Sequence, residues 1–201
     1  MKIIDLTSNV KEEYSTSIRR IPMPDRTYNA VIHDFALSSM SGTYIDFPGH
    51  IEEFKDGSDA ENYPVEKLFM VDATVIRLKR TGLGREISAR ELEETGIKVD
   101  TGCLLIDAGW KNEWDSKDVY FYGKDAIDWI ISQPVHLFIS DVYENHSQPR
   151  GIFVELFKAG ISCVCIPANL EKISKTRIKI CALPLKIPGA LQLPCRLLAV
   201  E

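Results

Sequence analysis

The residues with the clearest chemical potential lie in one short stretch, M-S-G-T-Y-I-D-F-P-G-H, from Met40 to His50. Asp46 offers a carboxylate and His50 an imidazole, which together can bind a divalent ion or move a proton. In an extended backbone, side chains of one parity face the same way, so positions 40, 44 and 46 are expected to face one pocket. Gly42 lets the backbone approach such a pocket closely. The stretch therefore predicts a site built around a carboxylate and an imidazole.

The composition is that of an ordinary folded domain. The chain has 201 residues, of which 45% are hydrophobic and 26% are charged, and this predicts a single domain over residues 1–201. The formal net charge of −5 disfavours nucleic-acid binding, which needs a basic face. No apolar run approaches the roughly 20 residues that span a bilayer, so no membrane association is expected.

The five cysteines indicate a reducing compartment rather than a disulfide framework. Their number is odd, and no C-x-x-C zinc pattern occurs. Most of them, including Cys165, lie in apolar runs, where cysteine packs as a small hydrophobic residue. Asp5 interrupts the N-terminal apolar run, so no secretory signal is predicted. These features predict a cytoplasmic protein.

Strands outnumber helices among the predicted elements. β-Branched content marks Val71–Leu78 as a strand, while Lys124–Ser132 has helical periodicity and ends before a proline. Ser88 and Glu91 form a capping-box pattern at the start of a helix over Ala89–Thr95. The pattern favours the α/β class, as a mixed sheet or partly closed barrel with a few helices packed outside it. The remaining extended segments are Lys2–Leu6, Tyr28–Ser38, Thr43–Phe47, Cys103–Ile106, Leu137–Ser140, Ile161–Ile166, Ile178–Leu183 and Arg196–Val200, with a further helix at Ile152–Ala159.

The segment Ser8–Asn29 is predicted to be irregular, because Pro22 and Pro24 block regular structure. Its polar, proline-containing character is typical of an arm that lies on a neighbouring subunit. We therefore expect a homodimer or homotetramer in which residues 8–29 form part of the contact between subunits.

The stretch from Met40 to His50 resembles the signature H-x-G-T-H-x-D-x-P-x-H of the cyclase family, which includes kynurenine formamidase. Five positions match in register, and two positions that are histidines in the family differ. The matches are Gly42, Thr43, Asp46, Pro48 and His50, and the differences are Met40 and Tyr44. The similarity continues along the chain in Ile3–Thr7, Leu104–Trp110, Asn169–Ile173 and Ala182–Ala190, followed by Pro194 and Arg196.

This resemblance implies a swivelling β/β/α fold, usually assembled as dimers or tetramers. Relatives of this kind use one or two metal ions, often zinc or manganese, to hydrolyse amide or ester bonds of small aromatic or cyclic molecules, of which N-formylkynurenine is the best known. The aspartate that matches Asp46 is a metal ligand in the family, and the histidine that matches His50 is a general acid/base. The resemblance thus implies an arylformamidase-like hydrolase of tryptophan catabolism with a small-molecule substrate.

The same resemblance implies that most of the family's ligand positions have changed. Its remaining ligands, a histidine and a glutamate, fall near Phe153 and Cys165. Phenylalanine cannot bind a metal, and a cysteine thiolate prefers soft ions, whereas a catalytic zinc site usually needs three protein ligands. The expected cofactor is therefore either none or a weakly bound zinc or manganese ion held by Asp46 and His50. Replacement ligands could come from His33, Glu144 or His146.

Three functions stay open on the sequence alone. The first is a hydrolase of this family with an altered metal site. The second is a metal-free enzyme in which Cys165 is the nucleophile, His50 the base and Asp46 its orienting partner. The third is a non-catalytic paralogue that binds a small molecule or serves a structural role. The predicted substrate pocket is lined by Met40, Tyr44, Phe153 and Trp110.

Overall fold

The structure is a computed structural model that describes residues 1–10, 15–24, 27–53, 56–80, 84–110, 119–144 and 148–201. Within these ranges the helices are α1 (Ala89–Glu93), α2 (Lys124–Ser132) and α3 (Phe153–Lys158). The strands are β1 (Ile3–Asp5), β2 (Ser15–Pro22), β3 (Asn29–Ala36), β4 (Tyr44–Asp46), β5 (Val71–Arg77), β6 (Glu86–Ile87), β7 (Cys103–Asp107), β8 (Phe121–Tyr122), β9 (Leu137–Ser140), β10 (Ser162–Cys165), β11 (Arg177–Pro184) and β12 (Gln192–Val200).

A barrel forms from strands in the order β12-β11-β5-β7-β9-β10-β4, after which β4 pairs again with β12. The pairs among β5, β7, β9 and β10 are parallel, while those that involve β4, β11 and β12 are antiparallel. Closure depends on the first residues of β12, Gln192–Pro194, which pair with β4. The predicted mixed sheet of the α/β class is confirmed, and the barrel is closed rather than partly closed.

Apolar side chains cover both faces of the barrel wall. Leu105 and Ile139 belong to the core inside the barrel, while their neighbours Leu104 and Phe138 belong to the core that the helices cover. This two-sided burial explains why every residue of β7 is buried and why that strand is almost continuously apolar. The wall is therefore a packed frame from which β4 and β10 direct side chains toward the helices.

The predicted helix signals are confirmed. Ser88 and Glu91 form the capping box of α1, and Gly96 follows that helix in the left-handed conformation, with φ +65°. The second helix has the predicted bounds, Lys124–Ser132. None of the helices in the described ranges is long and apolar enough to cross a membrane.

The prediction of an irregular segment at Ser8–Asn29 is wrong over β2, which pairs antiparallel with β3 along its whole length. Pro22 lies in the last pair of this ladder, where a proline ends a strand without interrupting it. Every residue of β2 is exposed, so the β2–β3 hairpin stands apart from the barrel sheet. The contact of this arm with a neighbouring subunit stays a prediction.

Candidate active site

The Gly42-Thr43 pair of the signature fixes the backbone at the entrance to β4. The Thr43 hydroxyl accepts a hydrogen bond from the Ser8 amide at 2.7 Å and donates one to the Ile166 carbonyl at 2.6 Å. Gly42 has φ +68°, and a Cβ at this position would lie 2.8 Å from the Ser8 carbonyl oxygen. These contacts tie the N-terminal segment, the start of β4 and the end of β10 together.

The strand β4 places Asp46 between β10 and β12. Its ladder partners are Cys163 on one side and Gln192 on the other. Asp46 is 0% exposed. Its Oδ1 accepts a hydrogen bond from Gln192 Nε2 at 2.5 Å, and its Oδ2 accepts one from Cys165 Sγ at 3.5 Å. Ser39 Oγ donates to the side-chain Oε1 of Gln192 at 2.7 Å, which orients the Gln192 amide toward Asp46. Side chains from both neighbouring strands therefore hold the carboxylate.

Burial raises the pKa of the Asp46 carboxyl above its ordinary value, because desolvation disfavours the charged form. The charge of His50 opposes this rise and is the next largest influence, followed by the hydrogen bonds from Gln192 and Cys165. The nearby Glu144 carboxylate adds to the rise. Since the pKa stays raised, Asp46 takes up a proton at a higher pH than a surface aspartate does.

His50 ends the short 3-10 turn Pro48–His50 that follows β4. Its side chain is half-buried, and its ring packs edge-on against Phe157 of α3 with the centroids 6.4 Å apart. Because Asp46 accepts its hydrogen bonds from Gln192 and Cys165, His50 acts on Asp46 through its charge. A half-buried imidazole beside a buried carboxylate is suited to proton transfer with a small molecule or water.

Cys165 is 0% exposed and lies opposite Tyr44 in the β10–β4 ladder. Burial first, and the charge of Asp46 second, raise the pKa of its thiol well above the ordinary value. The thiol also donates its hydrogen bond to Asp46 rather than to His50. Nucleophilic catalysis requires the thiolate, so this environment favours an inert thiol over the nucleophile of the metal-free alternative.

Two tyrosines flank Cys165. Tyr44 and Tyr143 are each 3% exposed, and burial is the main cause that raises the pKa of both phenols. Proximity to Cys165 raises the pKa of each phenol further. Both hydroxyls therefore remain protonated at neutral pH and can donate hydrogen bonds.

Trp110 is positioned by Asp141, the residue that follows β9. The Trp110 amide donates to Asp141 Oδ2 at 2.7 Å, and the Ala108 amide donates to Oδ1 at 2.9 Å. Burial raises the pKa of Asp141 to about 6, although both hydrogen bonds oppose the rise. The Trp110 ring packs against Tyr143 with the centroids 6.3 Å apart. A cavity of about 460 Å³ borders Trp110 and Asn169. Trp110 therefore contacts Tyr143 on one side and lines this open space on another.

The other two predicted pocket residues, Phe153 and Met40, lie outside β4. Phe153 begins α3, and its ring stacks at 5.3 Å on Phe157, the same ring that His50 contacts. Met40 is 48% exposed in the turn before β4. The parity argument does not extend to Met40, because the regular strand begins only at Tyr44. The pocket roles of Phe153 and Met40 stay predictions.

Neither of the replacement ligands that the structure describes forms a metal-binding group with Asp46. His33 lies on the exposed hairpin, where its ring stacks on Phe35. The Glu144 carboxylate accepts hydrogen bonds from two backbone amides at the start of α3, at 2.6 and 2.9 Å. The third replacement ligand, His146, lies outside the described residues.

The donors around Asp46 do not fit a zinc or manganese ion. Across the described ranges, no three side chains of histidine, cysteine, aspartate or glutamate come together in a metal-binding group. Asp46 is hydrogen-bonded to Gln192 and to the protonated Cys165 thiol, whereas a catalytic zinc site uses three protein ligands. Hydrogen bonds from Gln192 and Cys165 thus satisfy the Asp46 carboxylate.

Two residues of the site were missed by sequence reasoning. Gln192 reaches Asp46 only because the barrel closes through β12, a pairing that spans 146 residues of sequence. Tyr143 lies in the D-V-Y-E-N-H segment, which begins at Asp141 and in which the pattern gives Tyr143 no signal of its own. A local pattern could not reveal either contact, because both depend on which strands become neighbours.

Residues 4–145 match the Cyclase family, whose model is described as "Putative cyclase". The match covers more than half of the chain, so the protein belongs to the cyclase family. It is a divergent member, since the described residues contain no group of three or more metal-binding side chains. A comparison with curated protein sequences gives no match.

Several solved structures share this fold. Isatin hydrolase A from Labrenzia aggregata, bound to benzyl benzoate, superposes with a TM-score of 0.78 and 20% identity over 98% of this chain and 93% of that one. Isatin hydrolase A from Ralstonia solanacearum gives 0.77 and 20% over 100% and 92% of the two chains. A predicted metal-dependent hydrolase from Bacillus stearothermophilus gives 0.74 and 19% over 98% and 97%. At these identities the similarity shows the fold.

Proposed function

We propose that this protein is a hydrolase that cleaves an amide or ester bond of a small aromatic or cyclic molecule, with His50 as its general acid/base. One observation carries the proposal: the chain keeps Asp46 and His50 of the family signature, and the charge of His50 reaches the buried Asp46 carboxylate. Membership of the cyclase family supports a hydrolytic reaction, as do the names of the isatin hydrolases that share the fold.

The chemistry that we propose uses groups of the chain itself. His50 takes a proton from water as the water oxygen attacks the substrate carbonyl carbon, and it returns that proton to the leaving nitrogen or oxygen. The Asp46 carboxylate stabilises the positive charge that His50 carries between these two steps. The donors around Asp46 do not fit a metal, and a Lewis acid contributes several kcal/mol to such reactions. Activated carbonyls, in strained rings or with good leaving groups, are therefore the favoured substrates.

Aromatic side chains support a flat substrate. Trp110 and Tyr143 pack against each other on one side of the site, and Phe153 and Phe157 stack on another side near His50. The cavity of about 460 Å³ beside Trp110 provides an open space next to this aromatic group. Flat aromatic substrates are therefore the class that these rings favour.

A panel of isatin, formanilide and phenyl acetate tests the proposal. We expect the wild type to hydrolyse at least one of the three compounds, and His50→Gln to lower kcat by about 100-fold or more, since general acid/base catalysis contributes that much. His33→Gln is the matched control, because His33 lies on the exposed hairpin. It should leave kcat unchanged. The proposed function would be contradicted if the wild type hydrolysed none of the compounds, or if His50→Gln had the same kcat as the wild type.

A second candidate function is a non-catalytic binding protein. It is favoured by the complete burial of Asp46 and Cys165 and by the hydrogen bonds that already satisfy the Asp46 carboxylate. The same panel separates the two functions. A binding protein would show a rise in Tm with a panel compound and no product, whereas the proposed hydrolase would release product.

A further inference from the structure

Tyr143 carries a buried hydroxyl for which the described part of the chain provides no hydrogen-bond partner. The residue is 3% exposed, so bulk water does not satisfy this group either. An unpaired buried hydroxyl destabilises the folded state, and native proteins pair almost all such groups. The hydroxyl of Tyr143 therefore calls for a physical explanation.

The position of Tyr143 distinguishes it from the other unpaired buried side-chain atoms of the described residues, Arg80 Nε and Ser162 Oγ. The terminal nitrogens of Arg80 donate hydrogen bonds to Glu91 and to two backbone carbonyls. These contacts fix the Arg80 side chain in a structural ion pair. Ser162 begins β10, at the end of the strand opposite to Cys165. Tyr143 alone of the three belongs to the candidate active site.

Three neighbours locate Tyr143 at the site. Trp110 packs on its ring at 6.3 Å. Cys165, at the carboxyl end of the adjacent parallel strand, is close enough to raise the pKa of the phenol, after burial as the main cause. Tyr143 in turn contributes to the raised pKa of Tyr44. Tyr143 thus lies near Trp110, Cys165 and Tyr44, and its hydroxyl stays protonated.

We propose that Tyr143 Oη donates a hydrogen bond to the carbonyl oxygen of the bound substrate and stabilises the negative charge that forms on this oxygen. This inference rests on the proposed hydrolase function. When the water oxygen bonds to the carbonyl carbon, the π pair of the C=O bond moves to the oxygen and the water proton goes to His50. Tyr143 keeps its proton throughout. A preorganised donor of this kind stabilises the transition state more than the ground state.

The surrounding charges indicate the class of substrate. Two carboxylates lie in this region: Asp46 at the end of β4, and Glu144, which accepts hydrogen bonds from the amides of Ile152 and Phe153 at the start of α3, the helix whose Phe157 ring contacts His50. A substrate that carries its own carboxylate near the reacting carbonyl would be repelled by both groups. A neutral carbonyl compound offers an acceptor for Tyr143 without this repulsion. We therefore expect neutral aromatic amides or esters to be preferred over carboxylated ones.

Tyr143→Phe removes the hydroxyl and keeps the ring, and Tyr122→Phe is its matched control. Tyr122 is also 3% exposed, but its hydroxyl is hydrogen-bonded to Ser140 Oγ at 2.8 Å. We expect Tyr143→Phe to lower kcat by about 100-fold with a nearly unchanged KM, while its Tm stays within about 1 °C of wild type or rises. Tyr122→Phe should lower Tm by about 2–4 °C and keep the wild-type kcat.

Two results would overturn the proposed role of Tyr143 and leave the proposed hydrolase function standing. One is a wild-type kcat in Tyr143→Phe on a panel compound that the wild type hydrolyses. The other is a fall in Tm as large as that of Tyr122→Phe, which would mean that the Tyr143 hydroxyl has a partner within the protein. If the wild type hydrolyses none of the panel compounds, the proposed function fails and the role of Tyr143 fails with it. The two failures are thus distinguished by the wild-type assay.

Discussion

Asp46 and Asp141 are two buried carboxylates beside the same barrel, and they differ in what holds them. Both oxygens of Asp141 accept hydrogen bonds from backbone amides, those of Ala108 and Trp110. Asp46 instead accepts from two side chains, Gln192 and Cys165. Burial raises the pKa of both carboxyls. The two groups are therefore similarly buried, but their hydrogen-bond partners differ.

This difference separates a carboxylate that stabilises the fold from one that could take part in a reaction. Backbone amides are present whatever the sequence, so Asp141 fixes the loop that carries Trp110 and its removal leaves amides unpaired. Side-chain partners can be replaced by substitution, so the hydrogen bonds of Asp46 to Gln192 and Cys165 depend on which residues occupy the neighbouring strands. The cyclase fold can therefore persist while the chemistry at Asp46 changes.

The largest expected effect is that of Asp141→Ala. The variant leaves the Ala108 and Trp110 amides without acceptors in a buried loop, and we expect a loss of about 3 kcal/mol in the free energy of unfolding. Urea unfolding followed by circular dichroism measures this loss. A loss below about 1 kcal/mol would mean that the loop does not depend on Asp141.

The next largest expected effect is a change with pH in the difference between the free energies of unfolding of wild type and Asp141→Asn. The pKa of Asp141 is raised to about 6 in the folded protein, above the value of about 3.9 expected in the unfolded chain. The folded state therefore binds more protons between these values, and the stability from Asp141 is fully present below about pH 4 and lost as the pH rises to about 6. The advantage of wild type over Asp141→Asn should shrink by about 2 kcal/mol between pH 4 and 7.

Unfolding of wild type and Asp141→Asn at several pH values in this range measures that difference directly. Taking the difference between the two proteins removes the contributions of other carboxyls, such as Glu201, whose pKa is lowered to about 2. A difference that stays constant from pH 4 to pH 7 would contradict the raised pKa of Asp141.

The smallest expected change in stability is that of Asp46→Asn. The amide oxygen can still accept from Gln192, and the substitution removes a buried charge. We expect a free energy of unfolding within about 1 kcal/mol of wild type, together with a large loss of turnover on any panel compound that wild type hydrolyses. A destabilisation equal to that of Asp141→Ala would show that Asp46 is a structural carboxylate too.

The sequence predicts local elements of this fold well and long-range contacts poorly. Lys124–Ser132 is correct to its bounds because periodicity and a following proline are local signals. The sequence does not predict β2, because Pro22 and Pro24 indicate irregular structure more strongly than its β-branched residues indicate a strand, although Pro22 only ends the ladder. Closure of the barrel was not predicted, because it depends on pairing between β12 and β4.

The candidate site follows the same division. Gly42 and Thr43 could be recognised because the signature preserves them, and the structure gives each a clear role in holding the backbone. Gln192 and Tyr143 could not be recognised. The first depends on register across the barrel, and the second on the lack of a partner for one hydroxyl. Neither property is written in a local pattern.

Hydrolysis with and without chelator tests the central claim most directly, namely that Asp46, His50 and Tyr143 act in a site whose donors do not fit the metal of the family. The measurement compares turnover of a panel compound in EDTA with turnover after addition of zinc or manganese chloride. We expect turnover in both conditions, with rates that agree within about twofold, because the account has His50 rather than a metal ion activate the water. Loss of turnover in EDTA that zinc or manganese restores would contradict the account.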